Sequence, residues 1–496
     1  MFKLFIISSF LGSISILLQA PWNLFYLIFL IFPGLYLALD YGIKFKSFIK
    51  NFLSTIIILG GFFYFYFLFG FSWIVSAFDY RSEMEIFKYL TLFGLPFLML
   101  IFIIPSFIIL TIFWDKKINK VLSLALCISI GEYIRGNIFT GFSWNNFSHA
   151  FVVNDSLMQI FSVTGQYLAT FLLVLTAQFI IFFWKKNDIF FAFTLFLILP
   201  SIFLYGLIRI KDNQFDTDNI VGVVQPNISQ SEKLEGNNEN KIIIDLIDLS
   251  SREHADLLIW PESTVPVLLQ YNSDIIESIF EELPDKTELL IGNITYSGNK
   301  FQNSALLLDQ NNKIKDVYHK IHLVPFGEYI PLKELLSNFA FLKTVTGEIG
   351  FEKGLEVNSI STNIGTARVV ICYEIIFPEE INPKKDKLDF LINITNDAWF
   401  GKSSGPYQHF TATRFRAVEQ GLPAFRSANT GISGIIDPYG RVINKINLDV
   451  SGAIFSPLPK KIKETYYSKV GDLLFFGVII ITLLIMFFIK KKKKYE

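Results

Sequence analysis

The sequence is poor in the residues that most often bind metals or crosslink chains. Its 496 residues include two cysteines and five histidines. So few cysteines exclude a disulfide framework and a cysteine-rich metal site, and any functional cysteine acts as a single thiol. His319 and His322 are three residues apart, and on a strand they would point to opposite faces, which is poor geometry for a metal pair. The sequence therefore predicts neither a metal nor another cofactor.

Charged residues are also scarce, and they are unevenly distributed. They make up 18% of the chain, below the roughly 25% of average soluble domains. Lys+Arg and Asp+Glu balance at 44 each, which gives no reason to expect a nucleic-acid partner. Residues 1–208 contain only 20 of these 88 charged residues. The composition excludes a disordered chain and predicts a membrane-embedded first part followed by a largely water-exposed second part.

Long apolar runs predict eight membrane-spanning helices. Seven lie in the first part, at residues 4–18, 24–39, 52–75, 89–113, 121–134, 157–184 and 189–208, and one lies at 473–489. Lysines gather in alternate connections and in the tail at 490–494, which orients both chain ends toward the cytoplasm. The weakest span is 121–134, which contains Glu132, and without it the second part would lie on the opposite side of the membrane.

This topology divides the chain into three parts. Residues 1–208 form a predicted seven-span domain, residues 209–470 a domain outside the cytoplasm, and residues 471–496 a final span with a lysine-rich tail. The middle part alternates short apolar runs with amphipathic stretches, which is typical of an α/β domain. Strands are predicted at 219–227, 255–263, 288–297, 304–310, 367–374 and 389–396, a hairpin at 433–446, and helices at 238–250, 274–283 and 407–420.

Three predicted strands end in residues that carry chemistry. Glu262 follows one apolar strand, Lys320 and Glu328 flank a Pro-Phe-Gly turn, and Cys372 follows a Val-Val-Ile strand. A thiol at such a strand-to-helix turn is expected to have a depressed pKa, because helix N–H groups favour the thiolate. Taken singly, Glu262 and Lys320 are typical of surface charges and Cys372 of a small buried hydrophobe. Together, Glu, Lys and Cys form a complete set for acyl transfer through a covalent intermediate.

At these residues the chain resembles the nitrilase superfamily and, more narrowly, the apolipoprotein N-acyltransferase family. The matching strings are WPE (260–262), KIHLVPFGEYIP (320–331), ICYE (371–374), NITNDAWFG (393–401), GPYQHF (405–410) and RSANTGISGIIDPYG (426–440), with GEYIRG (131–136) and TGFSW (140–144) in the membrane part. The resemblance covers nearly the whole chain. It implies a polytopic α-helical membrane domain joined to a nitrilase-like α-β-β-α sandwich.

The resemblance also implies roles for individual residues. Glu262 matches the general base, Lys320 the lysine that stabilises the oxyanion, and Cys372 the nucleophile. The residues that match supporting positions around this triad are Glu328, Tyr373 and Glu374.

Substrate contacts are implied less directly. A loop that faces substrate in the family contains a tryptophan where this chain has Leu234. Trp399, Phe400 and the run 338–342 are apolar and are candidates to border a lipid pocket, although ordinary domain core explains each of them equally well.

The implied reaction transfers a phospholipid acyl chain, through a thioester on Cys372, to the N-terminal α-amine of a lipoprotein that carries diacylglycerol. The implied setting is a bacterial inner membrane with the catalytic domain in the periplasm, and the resemblance implies no nucleic acid, cofactor or metal. Two rivals remain: a membrane-tethered amidase that hydrolyses a small amide, and a receptor or transporter in which Cys372 is dispensable. A Cys–His hydrolase that pairs Cys372 with His409 is a further alternative, although nothing in the sequence fixes the two together.

Overall fold

The computed structural model of the chain describes residues 1–79, 85–184, 188–235, 239–329, 350–383 and 385–492. These residues form two compact units. The first contains the described residues within Met1–Val75, Glu85–Lys211 and Thr465–Glu496, and the second contains those within Ser76–Met84 and Asp212–Glu464. The first unit is helical, and the second is built on two β-sheets.

The helices of the first unit are rich in phenylalanine, leucine and isoleucine. In chain order they are α1 (Phe2–Ser15), α2 (Ile28–Gly42), α3 (Phe48–Gly70), α4 (Glu85–Ile103), α5 (Phe107–Phe113), α6 (Lys117–Asn137), α7 (Asp155–Met158), α8 (Phe161–Ala177), α9 (Phe179–Trp184) and α10 (Ile189–Arg209). Near the end of the chain, α15 (Tyr466–Val470) and α16 (Leu473–Lys492) complete the unit.

Among the described residues, six helical segments are long and apolar enough to cross a membrane. They are Phe25–Gly42, Phe48–Gly70, Phe87–Phe113, Phe161–Phe183, Ile189–Arg209 and Leu473–Lys491. Six of the eight predicted spans correspond to these segments. The first predicted span is the shorter apolar helix Phe2–Leu18. The span predicted at 121–134 lies within α6, a 21-residue helix whose charged residues lower its mean hydropathy.

Several buried polar side chains in the first unit form hydrogen bonds or ion pairs within the same unit. Glu132 and Arg135 on α6 form an ion pair in which both side chains are fully buried. Gln166 on α8 donates a hydrogen bond to the hydroxyl of Ser143 at 2.5 Å. The side-chain amide of Gln178 donates to the backbone carbonyl of Val121 on α6 at 3.2 Å. The two glutamine contacts hold α8 and the residue that follows it to neighbouring segments, as expected for polar groups within apolar helices.

The second unit contains two six-stranded sheets in its described residues. The strands are β1 (Phe215–Gln225), β2 (Leu257–Ile259), β3 (Glu288–Ser297), β4 (Lys300–Asp309), β5 (Lys313–His319), β6 (Ser359–Thr362), β7 (Gly365–Ile371), β8 (Phe390–Thr395), β9 (Ala424–Ala428), β10 (Ser433–Ile436), β11 (Val442–Ile446) and β12 (Gly452–Pro459). The first sheet has the order β12-β1-β2-β3-β4-β5, and the second has the order β11-β10-β9-β8-β7-β6.

The two sheets pack face to face around a shared apolar core. Side chains such as Val223 and Ile259 of the first sheet and Val369 and Ile392 of the second belong to one fully buried cluster. The unit's helices are α11 (Gln230–Glu235), α12 (Glu239–Ser250), α13 (Ser273–Glu282) and α14 (Gly405–Gln420). Helices α12 and α13 cover the outer face of the first sheet through a second apolar cluster.

Helix α14 covers the second sheet on its other face. The ring of Phe410 on α14 lies so close to Gly434 on β10 that a Cβ there would be 2.9 Å from it. The layers therefore follow the order helix, sheet, sheet, helix, which confirms the predicted α-β-β-α sandwich. The predicted hairpin is also confirmed, because β10 and β11 pair in antiparallel fashion, with Ser433 opposite Ile446. Strands β5, β6, β9 and β12 were not predicted, and the strand predicted at 255–263 extends only over Leu257–Ile259.

Candidate active site

The structure brings Glu262, Lys320 and Cys372 together at the ends of three strands. Glu262 follows β2, Lys320 follows β5, and Cys372 follows β7. The Nζ atom of Lys320 lies 3.6 Å from Oε1 of Glu262. The charges of both side chains act on the Cys372 thiol, since Glu262 raises its pKa and Lys320 lowers it. The three residues therefore form one electrostatically coupled cluster.

The Glu262 carboxylate is buried and held by two hydrogen bonds. Its Oε2 accepts a bond from the backbone N–H of Asn396 at 2.9 Å, and its Oε1 accepts one from the side-chain amide of Asn303 at 2.7 Å. Gly292 on β3 passes directly beneath it, and a Cβ at this position would lie 2.4 Å from the Glu262 Cα. Glycine at 292 is thus required for Glu262 to occupy this position.

Lys320 is almost fully buried and is paired with Glu328. Its Nζ lies 2.9 Å from Oε1 of Glu328, whose Oε2 accepts a hydrogen bond from the Val324 N–H at 2.7 Å. The turn between Lys320 and Glu328 places Phe326 at φ 63°, which lets the chain fold back on itself. Burial opposes the charge of Lys320, but Glu328 and Glu262 raise its pKa above the usual value. The ammonium therefore stays protonated and available as a hydrogen-bond donor.

Cys372 lies at a strained turn and has a raised pKa. Its φ is +56°, in the left-handed region that non-glycine residues rarely adopt. Burial and the neighbouring Glu262 charge raise the thiol pKa, and Lys320 only partly opposes them. The predicted pKa depression is therefore wrong. The helix that begins at Cys372 is a five-residue 3₁₀ helix, and its N–H groups do not outweigh burial and a nearby carboxylate.

Glu374 ties β7, which precedes Cys372, to the segment that follows Lys320. Its Oε2 accepts a hydrogen bond from the Ile371 N–H at 2.7 Å, and its Oε1 accepts bonds from the N–H groups of Ile321 at 2.8 Å and His322 at 3.0 Å. Glu374 is almost fully buried. The carboxylate thus fixes the residue before Cys372 relative to the residue after Lys320.

Tyr373 adds a second link between the same segments. Its hydroxyl donates a hydrogen bond of 2.6 Å to the backbone carbonyl of Leu323. Its ring also lies 5.7 Å from the Lys320 Nζ, within the range of a cation–π contact.

Two side chains near Glu262 were not singled out from the sequence. The side-chain amide of Asn303 donates to Glu328 at 2.9 Å as well as to Glu262, so it bridges the two carboxylates. Lys233 donates to the backbone carbonyl of Ser263 at 3.2 Å, and burial lowers its pKa to about 8, with Glu262 opposing the shift. Both residues are identified by their position next to Glu262 in the folded chain and not by a local sequence motif.

The candidate substrate contacts are only partly described. The side chain of Leu234 and the run 338–342 lie outside the described residues. Residues 330 and 331, the last two of the string KIHLVPFGEYIP, lie outside them as well. Trp399 and Phe400 end the short 3₁₀ helix Asp397–Phe400 that follows β8. Trp399 is exposed and Phe400 is half-buried, with its ring 5.7 Å from that of His409. Their role in substrate binding stays a prediction.

The histidines beside Lys320 have separate environments. Nδ1 of His319 lies 2.8 Å from the hydroxyl of Ser304, and Nδ1 of His322 lies 2.6 Å from Oε1 of Glu380. Strand β5 ends at His319, so the alternation of side chains along a strand does not relate it to His322. Among the described residues, no group of three or more His, Cys, Asp or Glu side chains is placed to hold a metal ion.

Comparison with known proteins agrees with both units. Residues 220–467 match the carbon–nitrogen hydrolase family, and residues 11–179 match the apolipoprotein N-acyltransferase N-terminal domain. Proteins named apolipoprotein N-acyltransferase are similar over most of their length. The one from Rhodopseudomonas palustris is 32% identical, covering 94% of this chain and 92% of its own, and the one from Rickettsia typhi is 36% identical, covering 82% and 84%.

A solved structure of a nitrilase-superfamily member from Saccharomyces cerevisiae is 18% identical, with a TM-score of 0.36, and covers 49% of this chain and 90% of its own. The sequence relatives, which extend across nearly the whole chain, decide the assignment. The chain belongs to the apolipoprotein N-acyltransferase family and is an acyltransferase of the carbon–nitrogen hydrolase superfamily.

Proposed function

We propose that this chain transfers an acyl chain from a phospholipid to the N-terminal α-amine of a diacylglyceryl-cysteine lipoprotein, through a thioester on Cys372. The observation that carries the proposal is the coupled cluster of Glu262, Lys320 and Cys372, in which Lys320 lies 3.6 Å from Glu262. The name of the similar proteins, apolipoprotein N-acyltransferase, indicates the acceptor class. The reaction is the last step of bacterial lipoprotein maturation.

The first half-reaction forms the thioester. Because its pKa is raised, Cys372 rests as a thiol, and Glu262 accepts its proton as the sulfur attacks the ester carbonyl of the lipid. The Lys320 ammonium donates a hydrogen bond to the oxyanion, a contribution worth about 3 kcal/mol of barrier for one such donor. Glu262 returns the proton to the departing oxygen, and a lysophospholipid leaves.

The second half-reaction forms the amide. The neutral α-amine of the lipoprotein attacks the thioester carbonyl, and Lys320 again stabilises the oxyanion. Glu262 accepts a proton from the attacking nitrogen and passes it to the departing sulfur, which restores the Cys372 thiol. The carboxylate position, fixed by Asn303 and Asn396, serves both steps.

The proposed setting is a bacterial inner membrane. The lysine distribution supports cytoplasmic chain ends and a periplasmic catalytic domain at 209–470, between the membrane parts 1–208 and 471–496. A thioester is prone to hydrolysis, so the acyl-enzyme requires a site that excludes water. Trp399 and Phe400, which follow β8, are proposed to border the acyl chain.

Intact-mass analysis of the purified chain with phospholipid alone tests the first step. The wild type is expected to gain the mass of one acyl chain, and Cys372→Ala is expected to remain unmodified. Once a diacylglyceryl peptide is added as acceptor, Cys372→Ser is expected to show no turnover. Cys127→Ser is the matched control, because Cys127 is the other thiol and is buried within α6. An acylated Cys372→Ala protein would contradict the assignment of the nucleophile. Release of free fatty acid without amide formation on a diacylglyceryl peptide would contradict the transferase reaction.

A further inference from the structure

The backbone carbonyl of Cys372 lies between two buried side-chain donors. The amide Nδ2 of Asn393 lies 3.2 Å from this oxygen, and Nε2 of His409 lies 3.1 Å from it. Cys372 itself has a φ of +56°, which is strained for a residue with a Cβ. Strain of this kind persists only where surrounding contacts hold it in place. The two donors are such contacts, and both are distant from Cys372 along the chain, by 21 and 37 residues.

Asn393 is fixed by the second sheet. It lies on β8, opposite Val370 on β7 and opposite Arg426 on β9. Its Nδ2 donates to the Val370 carbonyl at 3.1 Å as well as to Cys372, and its Oδ1 accepts a hydrogen bond from the Arg426 guanidinium. The guanidinium can only donate, so the amide orientation is determined, with Nδ2 facing the nucleophile peptide.

The contacts of His409 determine which ring nitrogen carries a hydrogen. A carbonyl oxygen can only accept, so Nε2 must be protonated to bond the Cys372 oxygen. Nδ1 lies 2.9 Å from Oδ1 of Asp397 and 3.1 Å from Nη2 of Arg426. Whether Nδ1 donates to Asp397 or accepts from Arg426, Nε2 keeps its hydrogen. The side chains of His409, Asp397 and Arg426 are all fully buried.

We propose that His409 is a positioning residue that, with Asn393, holds the strained Cys372 turn by binding its carbonyl oxygen. Asp397 and Arg426 orient the His409 ring for this task. This inference deepens the proposed function and rests on it for the identity of the reaction, but not for the geometry. It replaces the alternative in which His409 is the base that activates Cys372, because Nε2 is engaged by the peptide oxygen and Nδ1 by the Asp397–Arg426 pair.

Two substitutions of His409 separate positioning from charge. In His409→Gln the side-chain nitrogen reaches the place of Nε2, so the bond to the Cys372 carbonyl is kept. In His409→Asn the shorter amide reaches only the place of Nδ1, so that bond is lost while a neutral polar group remains. Both variants are made in the full-length chain with Cys127→Ser, in detergent micelles containing phospholipid. Three quantities are measured: melting temperature, the rate of Cys372 alkylation by iodoacetamide, and kcat and KM for acylation of a diacylglyceryl peptide.

Positioning predicts a difference between two variants of equal charge. His409→Gln is expected to keep kcat within about threefold of the parent, and His409→Asn to lose on the order of 10- to 100-fold in kcat with little change in KM, as small misplacements of a reacting group do. Equal losses of kcat in both variants would overturn the proposal. Such losses would mean that the charge or the basicity of His409 matters, because both variants remove these equally. Unchanged kcat in His409→Asn would also overturn it.

The alkylation rate keeps this test independent of the reaction assignment. If the parent acylates no diacylglyceryl peptide, the proposed function fails, yet the alkylation rates of the two variants still differ if His409 positions the thiol. If His409→Asn does not yield folded protein, Asn393→Ser supplies the second test, since it removes the other donor to the same oxygen. Alkylation of Asn393→Ser at the parental rate would then overturn the proposal.

Discussion

The Lys320 ammonium lies 2.9 Å from Oε1 of Glu328, closer than it lies to the proposed base. Glu328 therefore holds the lysine away from Glu262. In Glu328→Gln this restraint weakens, and the ammonium is expected to move into a closer ion pair with Glu262, which occupies both groups. We expect kcat to fall on the order of 100-fold, because displacement of a catalytic group by about 1 Å has an effect of this size. Steady-state kinetics of acyl transfer measures the loss.

The control for this change is Glu328→Asp, which keeps the charge on a shorter side chain. It should retain more activity than Glu328→Gln. Full activity in Glu328→Gln would show that Glu328 does not position the lysine.

The reactivity of Cys372 should depend on pH in a way that reports its neighbours. Burial and Glu262 raise the thiol pKa and Lys320 lowers it, so removing the negative charge stabilises the thiolate and removing the positive charge destabilises it. The pH of half-maximal iodoacetamide labelling should therefore increase in the order Glu262→Gln, wild type, Lys320→Met. In the wild type it should lie above the roughly 8.5 of a free cysteine. Mass spectrometry of Cys127→Ser backgrounds measures the labelling.

The reverse order would mean that the two charges do not face the thiol as described. Glu262→Gln is the informative variant in this series, since it is expected to react faster with iodoacetamide while losing acyl transfer. A thiol that becomes more nucleophilic in an inactive enzyme identifies Glu262 as the base rather than as a simple charge.

Asn303 should matter for activity more than for stability. Its amide separates the carboxylates of Glu262 and Glu328, which lie 2.7 and 2.9 Å from its Nδ2. Asn303→Ala removes this bridge and leaves two acids to compete for Lys320, so kcat is expected to fall at least 10-fold. Asn293 on β3 is the matched control, because its Nδ2 donates to the backbone carbonyls of Val267 at 2.8 Å and Val265 at 3.3 Å rather than to a carboxylate. Asn293→Ala is expected to lower Tm with a smaller effect on kcat.

Glu374 should matter chiefly for stability. It is a buried carboxylate whose oxygens accept three backbone N–H bonds and one from the Tyr318 hydroxyl at 3.0 Å. Glu374→Ala leaves these donors unpaired, and loss of one partner in a buried charged network costs about 3 kcal/mol or more. Thermal unfolding followed by circular dichroism should show a clear fall in Tm. Glu379→Gln is the control, since Glu379 lies five residues further along and is exposed; equal melting of the two variants would contradict the assignment.

Two of the three proposed catalytic positions, Glu262 and Cys372, were predicted because each lies at the end of a strongly apolar run. Such a run of buried residues is visible without knowing its partners. Lys320 follows β5, whose residues are mostly polar and only partly buried, so it was identified by the family-like string around it. Asn303 and His409 had no such signal, because their significance comes from contacts with residues about 40 positions away along the chain. The sign of the Cys372 pKa shift was wrong for the same reason, since burial and the Glu262 charge are properties of the folded unit.

The strands that escaped prediction are mostly at sheet edges. β5, β6 and β12 each lie at an end of a sheet, where one side of the strand pairs with no other described strand and polar residues are tolerated. β12 also contains Pro457 and Pro459, which disfavour a strand on sequence grounds. The remaining strand, β9, is central, but it carries Arg426 in a fully buried position. Its buried partners, among them Asp397, Asn393 and the Ile432 carbonyl, explain why a charged residue is found there.

Because β1 pairs with β12, the first sheet can be completed only late in the synthesis of the chain. These strands come from opposite ends of the catalytic unit and run side by side, with Val223 opposite Ile454. The ribosome therefore synthesises Glu262, Lys320 and Cys372 long before it synthesises β12, the strand that pairs with β1. Until then β1 has an open edge, which is a template for aggregation. A chain that stops just short of residue 452 contains all three proposed catalytic residues and still cannot complete its first sheet.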